Sequence, residues 1–484
     1  MNRLAPRSLA LALIPVVLFL CAFSCDVPLV PGYRILEESR EVNFIAGPPP
    51  ILHIQGHFKL ENIGNSDLSF VDVTFPEPKA FGRQNIRVEL NGHEITLANL
   101  PPEYQPDQPD TARIPIDPKW ERTRTEQLAI EYDLTSPDDA GSRITLGEDE
   151  FHLGSRGWFA ALLPPKHIMS PYPRRPAKTP YTVRVPPDFL VLARGAAKGK
   201  KKVGGEIEYR FVLSNNDLPP FVVAGRYSKS LGSGGEKAKF WTLKPLPSDP
   251  EKAAGQLMRA WRVLEKDFGP LNVNTDVPHV VESPELRGHS SADETGPVAT
   301  AFPGGVLVNP AALALGAESD EFLDMTTHSL AHDWFGDEMY PTPDAALGLG
   351  EGLPEYATIV IDEARNGPGA RRKRIERYLQ RYDDARREAA EKPLGVTLLS
   401  DPPDQRRIAL AKAPLFFVAL EDACGARAMQ NGLKEMVELL RGQQASYDSL
   451  RSELEHASGK DLAGLFRVWL NQKGISQDFR ERYQ

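Results

Sequence analysis

His328 and His332 stand four residues apart, and Glu351 follows after 18 more residues. No other feature constrains the fold of this chain so tightly. Side chains at i and i+4 share one face of an α-helix, so the two imidazoles meet on one metal ion only if this stretch is helical. A carboxylate from a following helix makes a third protein ligand and leaves the fourth position open, the arrangement of a catalytic rather than a structural metal centre. The segment must therefore form two helices joined so that position 351 returns to the face of 328 and 332. The residue after His328, where such a centre carries a general base for the metal-bound water, is Ser329. A hydroxyl cannot act as a base near neutral pH. His53 and His57 share the spacing but lie in a strand-like context with Gly56. Four strand residues span roughly 13 Å, too far for two imidazoles to hold one ion.

The chain has 484 residues, enough for several domains with a substantial core. Its net charge of −9 excludes a general nucleic-acid binder. The basic runs Lys198 to Lys202 and Arg371 to Arg374 read as solvated loop or helix faces. Residues 1–24 read as a targeting segment: Arg3 and Arg7 precede the apolar run Leu9 to Leu20, and Ala22-Phe23-Ser24 stands before Cys25. This resembles a bacterial lipoprotein signal. The resemblance implies acylation of Cys25 and an exported, membrane-anchored protein on the periplasmic side or the cell surface. Plain secretion with cleavage at the same bond and an uncleaved anchor are the alternatives. Cys21 belongs to the leader, so Cys424 stands alone and no internal disulfide is expected. No later stretch is apolar for long enough to span a membrane.

Residues 25–243 read as a β-domain, with β-branched and aromatic runs at 51–54, 68–73, 181–185 and 207–212 punctuated by Gly, Pro, Asn and Asp. Helical spacing begins at Ala253 to Phe268, followed by short β runs at 277–281 and 306–308. The helix that carries the histidines is expected from Asp320 to Phe335, stopped by Gly336, with Leu323, Leu330 and Trp334 as its buried stripe. A second helix is expected over Glu351 to Ala364, and further helices over 371–472. The resulting expectation is a multidomain α+β protein: leader 1–24, a β-sandwich-like domain 25–243, an α/β domain 244–380 that carries the metal site, and helices 381–484 that close it.

His332-Asp333-Trp334-Phe335-Gly336 followed by Glu351-Gly352-Leu353-Pro354-Glu355-Tyr356 resembles the membrane alanyl aminopeptidase family of gluzincins, which shows H-E-x-x-H-x-W-F-G and then N-E-G-x-x-E-Y at this separation. Gly157-Trp158-Phe159, Phe221 to Tyr227, Lys412 to Phe416 and Phe466 to Leu470 extend the likeness weakly over about residues 40 to 475. The resemblance implies a thermolysin-like fold for the zinc-site domain 244–380 and zinc on His328, His332 and Glu351, with Glu355 as the outer carboxylate that orients an imidazole. It also locates three departures. Ser329 replaces the base. Leu410 replaces the tyrosine that stabilises the oxyanion. Residues 300–305 carry no acid where the family grips the substrate's amino group. Gly350 and residues 343–346 depart as well. The expectation is a pseudopeptidase that binds peptide or protein in its cleft. Two alternatives stay open: an active zinc peptidase with Asp333, Glu338 or Glu355 as substituted base, and a metal-free structural or adaptor domain.

Overall fold

The computed structural model describes residues 32–483 apart from 65, 76–81, 97–110, 136–143, 155–157, 163–175, 215–217, 232–236, 247–249, 274, 287–296 and 317–318. The expected targeting segment 1–24, Cys25 and Gly157 lie outside the described residues. No helix among the described residues is long and apolar enough to cross a membrane.

The N-terminal half is β structure. Its largest sheet has eight strands in the order Ala196–Val203, Glu206–Ser214, Lys178–Val185, Tyr33–Ile45, Ile51–Asn62, Thr125–Thr135, Gly82–Leu90 and His93–Ile95. Strand side chains alternate between faces, so a half-buried sheet shows a period of two. In Thr125–Thr135 the residues Leu128, Ile130, Tyr132 and Leu134 are buried and their neighbours are not. That inner face packs on Val71 and Val73 of a three-stranded sheet and on Phe151 and Leu153 of a four-stranded sheet. The packing is that of a sandwich, as expected.

The four-stranded sheet has apolar side chains on both faces. In Val222–Gly225, Val222 and Ala224 join the sandwich core, whereas Val223 joins Trp241, Val281, Phe302 and Leu307 in a separate apolar cluster. This second cluster cements the β-rich part to a five-stranded sheet ordered Ser228–Leu231, Lys239–Thr242, His279–Glu282, Gly305–Val308 and Ala299–Phe302. Two of these strands precede residue 243. The composition break near Pro247 thus marks a switch from strand to helix, and the site-bearing sheet begins upstream of the 243/244 boundary read from sequence.

The other face of the five-stranded sheet is covered by helices α1 (Glu251–Phe268), α2 (Pro310–Ala314) and α3 (Asp320–His332), and α4 (Gly352–Asn366) packs against α3 and α1. Behind them come α5 (Pro368–Glu388), α6 (Pro403–Cys424), α7 (Ala426–Leu439), α8 (Tyr447–Ser458), α9 (Ala463–Asn471) and α10 (Gln477–Tyr483). The chain is therefore a mixed α+β protein with a β-rich N-terminal part and C-terminal helices. The 380/381 boundary falls inside α5, because that helix spans it without a break.

Arg371 to Arg374 is not a fully solvated helix face. The helical period turns Arg371 and Arg374 inward, where Arg371 meets Glu421 at 2.5 Å and Arg374 meets Asp324 at 2.7 Å and Asp362 at 3.1 Å. Arg372 and Lys373 stay exposed. The Lys198 to Lys202 run is an exposed edge strand, where lysines oppose edge-to-edge pairing.

Candidate metal centre

α3 starts where its sequence says it should. Ser319 is the N-cap, its Oγ accepting from the Phe322 amide at 3.1 Å, and Asp320 and Glu321 occupy the favourable first turn. Leu323 and Leu330 are buried, and Trp334 beyond them donates its indole N–H to the Gly269 carbonyl at 2.8 Å. The α-helix ends earlier than expected. After His332 the chain winds into a wider π-type turn over Asp333–Glu338, with Phe335 at φ −107° and ψ 26°. A second such turn, Ala346–Glu351, leads into α4. π-turns of this kind gather at functional sites.

These two turns bring three ligand atoms together. His328 Nε2 and His332 Nε2 lie 3.1 Å apart, and Glu351 Oε2 is 3.6 Å from each. Ligands about 2.1 Å from a tetrahedral zinc ion are about 3.4 Å from one another, so the three atoms already mark out one face of a zinc tetrahedron. Two imidazole nitrogens facing each other also need a shared cation or a proton between them. Burial disfavours a charged His328, but Glu351 and Glu355 outweigh it and raise its pKa. Burial likewise opposes an ionised Glu351, yet the two imidazoles hold that carboxyl well below the usual range. The donor set fits zinc.

Glu355, one turn into α4, places Oε1 3.4 Å from His328 Nδ1, and its other oxygen accepts from the Tyr378 hydroxyl. With Nε2 committed to a metal, Nδ1 must carry the proton and point at this carboxylate. Glycines let the parts approach. A Cβ at Gly352 would stand 2.7 Å from Ala413 Cβ, and one at Gly348 would collide with the Tyr447 ring.

The ligands open onto a cleft of about 230 Å³. Ser329 is buried and lines it beside the ligands; His152 and Gly154 wall it from the β-rich part, and Ala299, Thr300 and Ala301 from the edge strand. Leu410 is exposed on α6 and does not line this cleft. Lys412 nearby is buried on Glu391 at 3.1 Å.

Each carboxylate considered as a substituted base has at least one oxygen engaged by another partner, and the buried Oδ1 of Asp333 makes no hydrogen bond to the described residues. Asp333 accepts from the Gly304 amide at 3.0 Å; burial first, and Asp337 second, push its pKa well up. Glu338 accepts from the Asn272 amide and pairs with Arg441 at 2.8 Å, away from the cleft lining. Glu355 is held by Tyr378. The expectations from sequence leave out Arg194, a buried residue of the β-rich part that pairs with Asp337. The available signal was the run Asp333, Asp337, Glu338 around the apolar Trp334 and Phe335, which buries three acids within one turn.

Residues 289–469 match the Peptidase family M1 domain. The site-bearing part of this chain belongs to peptidase family M1. Among solved structures, the M1 zinc metallopeptidase of Deinococcus radiodurans aligns with a TM-score of 0.63 at 16% identity, covering 92% of this chain and 95% of that one. A mutant of it bound to a Tyr-Ser-Ala substrate aligns with a TM-score of 0.62 at 17% identity over the same shares. Legionella pneumophila aminopeptidase A, in complex with aspartic acid, gives 0.62 at 16% identity; there 92% of this chain covers 50% of that one. At such identities the likeness is one of fold. Comparison of the sequence with curated proteins gives no match. The M1 domain thus contains His328, His332, Ser329, Glu351 and Glu355, while His152 and Arg194 reach it from outside the matched residues.

Proposed function

We propose that this chain is a zinc-holding, peptide-binding relative of the M1 aminopeptidases whose hydrolytic machinery is gone. The observation that carries the reading is Ser329. It is buried beside the ligands in the position of the base, and each candidate carboxylate already has an oxygen committed to another partner. His328 and His332 through Nε2 and Glu351 through Oε2 are the residues that hold the ion, with Glu355 fixing the His328 tautomer. Bound zinc would supply a Lewis-acidic open coordination position at the cleft. General-base catalysis contributes roughly 10²–10⁴-fold, and the oxyanion donor is missing as well, since Leu410 has none to offer.

What the chain's own residues can still do is bind. Ala299–Phe302 is the edge of the five-stranded sheet and lines the cleft. An extended peptide adds to such an edge by main-chain hydrogen bonds. Residues 300–305 bring no acid to grip a free amino terminus, so the expected ligand is a peptide segment recognised along its backbone. The leader and Cys25 complete the proposal: an exported protein, tethered to a bacterial membrane through acylated Cys25, presenting its cleft on the periplasmic side or at the cell surface. The net charge leaves nucleic acid out of its partners.

The test is elemental analysis of the purified protein beside His332→Ala, with both assayed on aminoacyl and internally quenched peptides. Stoichiometric zinc that disappears in His332→Ala, without turnover, supports the reading. Turnover lost in the same variant would establish an active peptidase, and a parent devoid of metal would leave an inherited scaffold.

A further inference from the structure

We propose that Arg194 is a positioning residue for the metal centre, clamping the β-rich part of the chain to the turn that ends the metal-binding helix. The inference rests on the zinc reading above. The turn 333–338 holds three acids, and each is tied to a different element. Asp333 takes the Gly304 amide of the hairpin behind the edge strand. Glu338 takes the Asn272 amide after α1 and the Arg441 guanidinium after α7. Asp337 takes Arg194, 143 residues away in sequence. The first two ties come from the same body as α3. The third comes from the β-rich part.

Arg194 is built to hold still. It follows the strand Leu190–Ala193, its amide donates to the Phe221 carbonyl at 3.3 Å, and its own carbonyl accepts from the Tyr181 hydroxyl. Its guanidinium lies 5.8 Å from the Phe221 ring centroid and is buried, with Nε and Nη1 making no hydrogen bond to the described residues. A fully buried cation is retained only against a matching charge, and here that charge is Asp337. Asp333 and Asp337 line the same cleft as His332, the ligand that immediately precedes their turn. The cleft's two walls belong to the two bodies that Arg194 joins. Fixing Asp337 to the β-rich part therefore sets the direction of the helix end that carries His332 and the width of the cleft together.

The experiment compares the parent, Arg194→Gln and the double variant Arg194→Gln/Asp337→Asn, in which no buried acid is left unpaired by loss of the arginine. Zinc affinity is read by chelator competition, ligand geometry by the visible absorption bands of the cobalt-loaded protein, and folding by circular dichroism. The expected result is folded protein with zinc bound roughly tenfold or more weakly and with altered cobalt bands. Where the single variant does not fold, the double variant decides. Parent-like affinity and cobalt bands in either folded variant would overturn the clamp. A parent that takes up no metal refutes the zinc reading itself, whereas a metal-loaded parent with indifferent variants refutes only the clamp.

Discussion

Replacing Asp333 separates a structural acid from a catalytic one. Its Oδ2 accepts from the Gly304 amide at 3.0 Å, and Gly304, at φ +88°, is the turn residue of the Pro303-Gly304 hairpin that carries the edge strand. Asp333→Asn keeps an acceptor for that amide and removes only a charge that burial already disfavours. Its stability should stay within about 1 kcal/mol of the parent. Asp333→Ala strands a buried N–H and should cost about 1–3 kcal/mol, with the hairpin loosened. Urea unfolding gives both differences, and a peptide-binding titration reports the hairpin. Binding should survive in Asn and weaken in Ala, with no hydrolysis in either. If the parent instead hydrolyses peptides and Asp333→Asn lowers the rate by roughly 10²–10⁴-fold at unchanged stability, Asp333 is the base and the reasoning fails.

Glu355→Gln should weaken zinc by roughly 10–100-fold, measured by chelator competition, because the carboxylate facing His328 Nδ1 is lost. Gly352→Ala drives a Cβ to 2.7 Å from Ala413 and 3.0 Å from Phe417, an overpacking that should cost about 1–3 kcal/mol in urea unfolding. Glu150, buried against Ser283 and Thr145, has its pKa pushed up by burial from 4.5 to about 7. The folded form then holds a proton that the unfolded chain releases, so stability should fall as pH rises from about 4.5 through 7, by at most about 3 kcal/mol from this group. Glu150→Gln should abolish that part of the pH dependence; an unchanged profile would place the titration elsewhere.

The ligand triplet was legible because a spacing of four residues has one meaning on a helix, and Leu323, Leu330 and Trp334 fixed which way that helix faces. The strand runs were legible through their alternation, and the sandwich followed from it. What did not show was set by contacts distant in sequence. No local pattern says that α3 relaxes into a wide turn after His332; that depends on Gly304, Asn272 and Arg194 reaching its three acids. Arg371 and Arg374 read as surface charge because their partners Glu421 and Asp324 lie about 50 residues away on other helices. The strands at 228–231 and 239–242 looked like the end of the β-rich part because only pairing with 279–282 assigns them to the next sheet.

The most direct test is diffraction at the zinc absorption edge from crystals of the protein grown with a peptide. The account predicts one anomalous peak among His328, His332 and Glu351, with an intact peptide lying along residues 299–302. A cleaved peptide at an occupied site, or no peak between those ligands, would contradict it.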